Sequence, residues 1–212
     1  MFVDEDLIDT YVSLIKQYHV EGSVLDLGTG TAPLAVKLAK EEYFVTATDI
    51  SNEMLEVAFN NALIENVRIN FYIHDVLDTV NRDYDIICMC SDVINYINSK
   101  DDVLRVFENI ALAMNPDSIF VFDFLRENFL EKENGHNEEI LLPDGVMEWQ
   151  ALKTNIPNQI KHTIKIGNEI ETHLQQTYSL KEYTKMLKDK DLIIIKKIKL
   201  EDRFVIVCKK EM

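Results

Sequence analysis

The feature that most limits how this chain can fold is an apolar strand that runs directly into a glycine loop and a helix, SVLDLGTGTAPLAVKLAK at 23–40. Similar apolar strand patterns alternate with helix patterns over the first 125 residues. Strands that are apolar on both faces and separated by helices form a parallel sheet with helices on both sides. The sequence therefore predicts a doubly wound α/β fold. The predicted strands are 23–28, 44–50, 67–75, 84–91 and 118–125.

The alternation of strands and helices stops over 127–176, where the pattern becomes that of an inserted antiparallel β flap. The stretch HTIKIGNEIETHLQ alternates its side chains about Gly167 and Asn168, which suit a two-residue hairpin turn. We predict that this flap follows the fifth strand and caps the substrate.

The remaining patterns complete a single predicted domain over 1–212, built on a Rossmann-like sheet of seven mostly parallel strands. Two final strands, 192–200 and 203–210, are joined by a short charged turn, so the last strand is predicted to be antiparallel. A helix at 101–114 is predicted to stop at the Asn-Pro pair that follows it. The predicted helix N-caps are Thr31, Ser51 and Ser179.

Charge and composition exclude several classes of function. The chain has 37 acidic and 22 basic residues, a formal net charge of -15 that repels phosphate backbones, so no nucleic-acid partner is expected. Its apolar runs are far shorter than the roughly 18 residues that span a bilayer, so no membrane partner is expected either. The acidic start MFVDEDLIDT has no leader pattern, and a cytoplasmic protein is the default expectation.

The three cysteines do not have the spacing of a metal site. Cys88 and Cys90 lie on one face of a predicted strand, and Cys208 is isolated from them in the sequence. They are predicted to be buried free thiols, and no metal ion is expected.

Polar residues and glycines mark the ends of the predicted parallel strands. Ligands of doubly wound sheets bind beyond these carboxyl ends. Glycines allow a ligand to approach the backbone closely. A carboxylate after the second strand can accept hydrogen bonds from both hydroxyls of a ribose, and a carboxylate after the third strand can accept one from an exocyclic amine. The candidate residues are Gly28, Thr29, Gly30, Asp49, Asp75 and Ser91. Each also has a structural alternative, as a tight turn, a helix-cap neighbour or an exposed loop acid.

The motifs VLDLGTGTAPLAVKLA and VTATDISNEMLEVA resemble the first motifs of class I S-adenosylmethionine-dependent methyltransferases. The resemblance implies that the cofactor is S-adenosyl-L-methionine, that Asp49 holds its ribose and that Asp75 meets its adenine. It adds Asp26 within the first motif, and Ile50 and Val76 as neighbours of the adenine. The usual third glycine of the loop is Ala32 here, a change that we expect a helix start to tolerate.

The stretch CSDVINYI and the segment 173–198 resemble a small-molecule, methyltransferase domain 25-like branch of that family. The resemblance implies methyl transfer to nitrogen or oxygen of a small molecule, mainly by positioning and desolvation. Asn95, Tyr96 and Trp149 are the candidate walls of the acceptor pocket. The flap also makes a homodimer possible. No catalytic base is identified, and the flap histidines either face the acceptor or have structural positions in the hairpins.

Two other functions remain open from the sequence. A non-catalytic protein could keep the fold and bind a partner through the flap. An NAD-dependent dehydrogenase is less well supported, because its loop pattern G-x-G-x-x-G/A would need glycine or alanine where this chain has Pro33.

Overall fold

The computed structural model describes residues 4–142 and 145–211 of the 212-residue chain. Its strands are β1 (Ser23–Leu27), β2 (Phe44–Asp49), β3 (Asn70–Ile73), β4 (Tyr84–Met89), β5 (Met114–Leu125), β6 (His136–Leu142), β7 (Gly145–Lys153), β8 (Gln159–Ile166), β9 (Glu169–Gln176), β10 (Leu192–Lys199) and β11 (Arg203–Lys210). Its α-helices are α1 (Glu5–Lys16), α2 (Pro33–Lys40), α3 (Asn52–Ile64), α4 (Lys100–Leu112), α5 (Glu127–Glu133) and α6 (Leu180–Lys188). A 3₁₀ turn spans Val93–Tyr96.

The main sheet has seven strands in the order β10-β11-β5-β4-β1-β2-β3. Strands β1 to β5 are parallel to their neighbours, whereas β11 is antiparallel to both β5 and β10. The predicted fold class and the antiparallel last strand are therefore confirmed. Because the order changes direction between β1 and β4, the loops after these strands diverge and leave a crevice at the carboxyl end of the sheet.

Several predicted boundaries are wrong. The third strand covers only Asn70–Ile73 instead of 67–75, since it pairs with β2 alone and forms the edge of the sheet. Helix α4 ends at Leu112 rather than 114, and the chain enters β5 at Met114, before the proline. A register shift in the β4–β5 pairing accommodates this irregular start.

The start of α2 also differs from its prediction. Thr31 is not the N-cap; Ala32 is, and it adopts a left-handed backbone with φ of 65°. Pro33 then occupies the first helical position, which its fixed φ favours. The N-caps Ser51 and Ser179 are confirmed, since each side chain accepts a backbone N–H of the first turn.

Both faces of the main sheet are buried. One face packs on α1 and α2 through residues such as Tyr11 and Leu38. The other packs on α4 and α6, where Phe107, Phe122 and Tyr183 form an aromatic cluster. The three cysteines are buried free thiols, as predicted. None of the helices in the described part of the chain is long and apolar enough to cross a membrane.

A second, four-stranded antiparallel sheet, β6-β7-β8-β9, follows the fifth strand. We call it the flap sheet. The hairpin turn at Gly167 and Asn168 joins β8 to β9 as predicted, with Gly167 at φ of 59°. The short helix α5, which precedes this sheet, was not predicted.

Asp85 in β4 ties this strand to the start of β1. Its Oδ2 accepts the backbone N–H of Ser23 at 2.7 Å and the Ser23 hydroxyl at 2.8 Å. These hydrogen bonds lower the pKa of Asp85.

We expect Asp85→Ala to lower the free energy of unfolding by about 1–3 kcal/mol, because both Ser23 donors lose their acceptor. Asp83→Ala, which changes an exposed acid just before β4, is the matched control and should change the stability by less than about 0.5 kcal/mol. Urea unfolding measures both. Equal stabilities of the two variants would contradict this role for Asp85.

Candidate functional site

The loop after β1 is fixed to the end of β2 by the carboxylate of Asp49. One oxygen, Oδ2, accepts the N–H of Gly30 at 2.8 Å, and the other accepts the N–H of Ser51 at 3.0 Å. The N–H of Thr29 also donates to the carbonyl of Thr48 at 2.8 Å. Each oxygen of an ionised carboxylate can accept two hydrogen bonds, so Asp49 keeps capacity for a ligand.

Asp26 lies beneath this loop rather than at its surface. It is 3% exposed, and its Oδ2 accepts the hydroxyl of Thr29 at 2.7 Å. Burial raises its pKa to about 7; the Thr29 hydrogen bond opposes this shift and the charge of Asp49 adds to it. Asp26 therefore supports the loop from inside the protein.

The two glycines of the loop have left-handed backbones but different surroundings. A Cβ at Gly28 would lie 2.6 Å from Cγ1 of Val93, so this glycine permits close packing on the 3₁₀ turn. A Cβ at Gly30 would have no heavy atom within 4 Å. Gly30 is thus open on the side where a ligand could approach. The expectation that Ala32 needs only a helix start is incomplete, because that position also requires a positive φ.

Asp75 and Ile50 lie beside the end of β2, on the side of β3. The N–H of His74 donates to the carbonyl of Asp49 at 3.0 Å, which holds the chain after β3 against β2. Asp75 Oδ1 accepts the N–H of Leu77 at 2.9 Å. Ile50 is 68% exposed, and Val76 packs partly into the core. The structure thus brings these residues and the glycine loop to one end of the sheet.

The segment 91–96, which we call the junction segment, follows β4. Ser91 and Asp92 both have positive φ, and the N–H of Ser91 donates to the hydroxyl of Tyr11 at 3.3 Å. Asn95 is fully buried; its amide donates to the carbonyl of Gln176 at 2.9 Å and its oxygen accepts the N–H of Leu125 at 2.9 Å. Asn95 therefore supports a wall from behind, whereas Tyr96 is 39% exposed.

A buried ion cluster anchors the junction segment. Nη1 of Arg203 lies 3.1 Å from Asp92 Oδ1 and 2.7 Å from Asp123 Oδ2. Asp123 is fully buried, and the N–H of Asp92 donates to the same Oδ2 at 3.1 Å. Burial raises the pKa of Asp92 to about 6 and also raises that of Asp123, while Arg203 lowers both.

The sequence analysis did not identify Asp123 or Arg203. The signal that could have found Asp123 is its position as a lone acid inside the apolar run SIFVFDFL. A buried charge in such a strand needs a partner. The identity of that partner, 80 residues later, is not encoded by any local pattern.

One face of the flap sheet collects aromatic and imidazole rings. His136, Ala151, His162 and His173 are directly paired across the four strands and so share this face. Trp149 joins them, with its ring centroid 4.6 Å from that of His136. Tyr96 of the junction segment meets His173 edge to face at 6.1 Å. We call this surface the ring face.

A chain of hydrogen bonds connects the ring face to the ion cluster. Nε1 of Trp149 lies 3.1 Å from Nδ1 of His162, and Nε2 of His162 lies 3.1 Å from Oε1 of Gln175. The Gln175 amide donates to Asp92 Oδ2 at 2.6 Å. The predicted pocket residues Tyr96 and Trp149 are thus brought together with His162 and His173, for which the sequence left an acceptor-facing and a structural position open. Gln175, which the sequence did not assign to a site, joins them.

The structure contains no evident metal centre in the residues that it describes. Within 4–142 and 145–211, no three His, Cys, Asp or Glu side chains come together in a way that could hold an ion. The arrangement instead offers a glycine loop, carboxylates at strand ends and a partly exposed ring face.

Comparisons with known proteins point to one family. The model of a methyltransferase domain matches residues 24–117. A protein of Geobacillus sp. (strain WCH70), named as a candidate methyltransferase, is 26% identical over 199 residues, which cover 85% of this chain and 78% of that protein. The release factor glutamine methyltransferase of Streptococcus pneumoniae (strain ATCC BAA-255 / R6) is 29% identical, over 76% of this chain and 60% of its own length.

Solved structures share the fold over nearly the whole chain. A crystal structure of an S-adenosylmethionine-dependent methyltransferase from Clostridium acetobutylicum ATCC 824 has a TM-score of 0.86 at 22% identity, covering 99% of this chain and 93% of that one. An amino pentose methyltransferase from Micromonospora echinaspora has a TM-score of 0.75 at 12% identity, covering 97% and 90%.

The contrast between the two loop glycines gives a prediction. We expect Gly28→Ala to lower the free energy of unfolding by about 2–4 kcal/mol, through overpacking against Val93 and a strained φ. Gly30→Ala should cost only about 1 kcal/mol, because its added methyl group meets open space. Adding Val93→Ala to Gly28→Ala should recover part of the loss. Thermal and urea unfolding give the comparison, and equal losses for both glycines would rule out the packing argument.

The ion cluster gives a second prediction. Arg203→Met should lower the free energy of unfolding by about 3–5 kcal/mol at pH 8, because two buried carboxylates lose their cation. Asp92 has a raised pKa, so the protein gains stability from it as the pH falls through about 6. Arg203 lowers the pKa of both acids, so without it Asp92 and Asp123 take up protons at a higher pH than in the wild type. The loss in Arg203→Met should therefore be smaller at pH 5 than at pH 8.

Lys132→Met removes an exposed cation paired with Glu201 and is the control for the Arg203 variant. It should change the stability by less than about 1 kcal/mol at both pH values. A pH-independent loss in Arg203→Met would argue against a charge-based role of the cluster.

Proposed function

We propose that this chain, which belongs to the class I S-adenosylmethionine-dependent methyltransferases, transfers a methyl group to nitrogen or oxygen of a small-molecule acceptor. The observation that carries the proposal is the meeting of two surfaces at one segment. The junction segment contacts the glycine loop through Val93 and the ring face through Tyr96. A cofactor at the loop and an acceptor at the ring face would then lie side by side.

The cofactor side of the proposal rests on the strand ends. S-adenosyl-L-methionine supplies a methyl group bonded to a positively charged sulfur. Asp49 would accept the ribose hydroxyls with the lone pairs that Gly30 and Ser51 leave free, and Asp75 would accept from the adenine amine. Gly30 would let the backbone lie close to the cofactor, since its Cα faces open space. Ile50 would cover the adenine, because its exposed side chain gains from burial there.

The charge of the site favours this cofactor. Asp92, Asp123 and Arg203 together carry one more negative than positive charge when both acids are ionised. Ser91, directly before Asp92, is a proposed cofactor contact. A cationic sulfur near this end of β4 would be attracted by the excess charge, and the low dielectric of a buried cluster strengthens that attraction.

The acceptor side of the proposal rests on the flap sheet, 127–176, as a cap. Trp149 and Tyr96 would bind the acceptor, with Asn95 holding the wall behind them. The ring face is partly exposed, with 32% of the His136 side chain and 40% of the His173 side chain accessible. The similarity in fold to an amino pentose methyltransferase supports a small-molecule acceptor. The net charge of -15 favours a neutral or cationic acceptor.

Catalysis would come from positioning and from exclusion of water. An acceptor held in line with the methyl group needs no general base if its nucleophile arrives unprotonated. The ring face offers indole, phenol and imidazole surfaces that exclude water around the acceptor. Homodimerisation through the flap remains a prediction, which light scattering tests.

Calorimetry with S-adenosylhomocysteine tests the cofactor site. We expect this ligand to bind and NAD not to bind. Asp49→Asn should weaken S-adenosylhomocysteine about tenfold or more, since one strong acceptor is lost. Asp101→Asn, an exposed acid at the start of α4, is the matched control. Binding of NAD alone would instead support a dehydrogenase.

A screen of radiolabelled methyl transfer tests the acceptor class. We expect transfer to small amines or alcohols and none to denatured proteins or RNA. Transfer only to a protein would replace the small-molecule proposal. Tight cofactor binding without transfer to any acceptor would favour the alternative of a non-catalytic protein that binds a partner through the flap.

A further inference from the structure

The hydrogen bond between Trp149 and His162 can have only one direction. An indole N–H donates and cannot accept. Its 3.1 Å contact therefore requires a lone pair on Nδ1 of His162. The imidazole proton must then lie on Nε2, which is 3.1 Å from Oε1 of Gln175. His162 is thereby restricted to one neutral tautomer.

The rest of the chain agrees with this assignment. Because Gln175 Oε1 accepts from His162, its amide nitrogen is left to donate, and it does so to Asp92 Oδ2 at 2.6 Å. Each hydrogen bond in the sequence Trp149, His162, Gln175, Asp92 thus runs from a donor to an acceptor. An imidazolium at His162 would place a second N–H against the indole N–H and break this order.

The ionisable groups around His162 act in opposite directions. Burial is the largest influence and lowers the pKa of His162. The Gln175 hydrogen bond and Glu133 on α5 favour the imidazolium, whereas His136 on β6 and His173 on β9 disfavour it. Asp92 is linked to the ring through the Gln175 amide. Burial and the Trp149 N–H, which an imidazolium could not accept, therefore favour the neutral ring.

We propose that Trp149 is a positioning residue that keeps His162 uncharged, and that the ring face is consequently a subsite for an amine acceptor. This inference rests on the proposed function, because an acceptor amine is required only if the chain methylates small molecules. Beyond that function, the acceptor is an amine, and Trp149 keeps positive charge out of its subsite.

The ring row explains why a neutral His162 matters. His162 lies between His136 and His173 in the cross-strand row, so a charge there would be at the centre of the face. A substrate ammonium would be repelled by it. The neutral arrangement instead presents the aromatic faces of Trp149 and Tyr96, which attract cations. The acids Glu138 and Glu171 lie 3.3 Å and 3.4 Å from the outer histidines and add negative charge.

The same two hydrogen bonds exclude His162 as the catalytic base. Both ring nitrogens are engaged, one as acceptor and one as donor. The bound ammonium first releases a proton to water. The free amine nitrogen then uses its lone pair to form the new N–C bond as the S–C bond breaks, and the excess proton that it carries after the transfer also leaves to water.

The protonation state of His162 can be read directly in the wild-type chain by long-range ¹H–¹⁵N spectra, without cofactor or acceptor. We expect the Nε2–H tautomer throughout pH 5.5–8, with His19, outside the flap, as an internal reference in the same spectra. An Nδ1–H tautomer, or an imidazolium at pH 6, would overturn the proposal. This readout does not depend on turnover, so it can fail while the proposed function stands.

Two variants distinguish the contributions of the hydrogen bonds at the two nitrogens of the His162 ring. Trp149→Phe keeps an aromatic side chain but removes the N–H, so the His162 pKa should rise, while burial still holds it below about 6.5, the value of a free histidine. Gln175→Met breaks the contact at Nε2 while leaving Nδ1 engaged, so His162 should stay neutral. A similar titration of His162 in both variants would show that burial, and not Trp149, keeps the ring uncharged.

A matched pair of probes tests the ligand class. We expect n-butylammonium to shift the indole resonance of Trp149 saturably in the wild-type chain, and n-butanol to shift it weakly. In Trp149→Phe, the affinity for n-butylammonium, followed at the Tyr96 ring, should fall at least about tenfold between pH 8 and pH 5.5, as His162 becomes charged. Equal responses to the two probes in the wild-type chain would refute an amine subsite.

Discussion

The guanidinium of Arg203 holds together the carboxyl end of the main sheet. It lies on the antiparallel strand β11 and binds acids that follow β4 and lie within β5, which are 111 and 80 residues away in the sequence. A buried carboxylate is costly unless an opposite charge is paired with it. The pairing therefore fixes the relative position of three strand ends at once. Asp92, whose backbone is left-handed, and Gln175, which donates to Asp92, are both connected to this pairing.

The junction segment transmits that constraint in two directions. Toward the glycine loop, Val93 packs against the bare Cα of Gly28 at a distance that no side chain at that position would allow. Toward the flap, Asn95 binds the backbone where β5 ends and where β9 ends, and Tyr96 contacts His173. The six residues of the junction segment thus connect the glycine loop to the flap sheet.

The sequence allowed the fold class, the alternation of strands and helices and the placement of the candidate residues at strand ends to be predicted, because these depend on local patterns. Apolar runs, glycines with positive φ and serine caps each have a short-range physical cause. The Asp123–Arg203 pair could not be predicted, since nothing in RFVIVCKK indicates which acid its arginine meets. The same limit applied to the flap histidines: alternation suggested a hairpin, but only the register between four strands shows that His136, His162 and His173 share one face. Ala32 was misjudged because residue type alone did not reveal its left-handed backbone.

The carboxylates of this end of the sheet look alike in the sequence, yet their surroundings give them different chemistry. Asp26 is buried beneath the loop, and its pKa of about 7 means that it is partly protonated near neutral pH. Asp49 and Asp75 lie at the surface of the loops, where their oxygens retain free lone pairs. Asp92 shares the cation Arg203 with Asp123, and when both acids are ionised they carry one more negative charge than Arg203 neutralises. Asp49 fixes the glycine loop and also keeps lone pairs that a ligand could use, whereas Asp26 and Asp123 are buried and hold the frame. The excess negative charge has the sign that attracts a cationic cofactor.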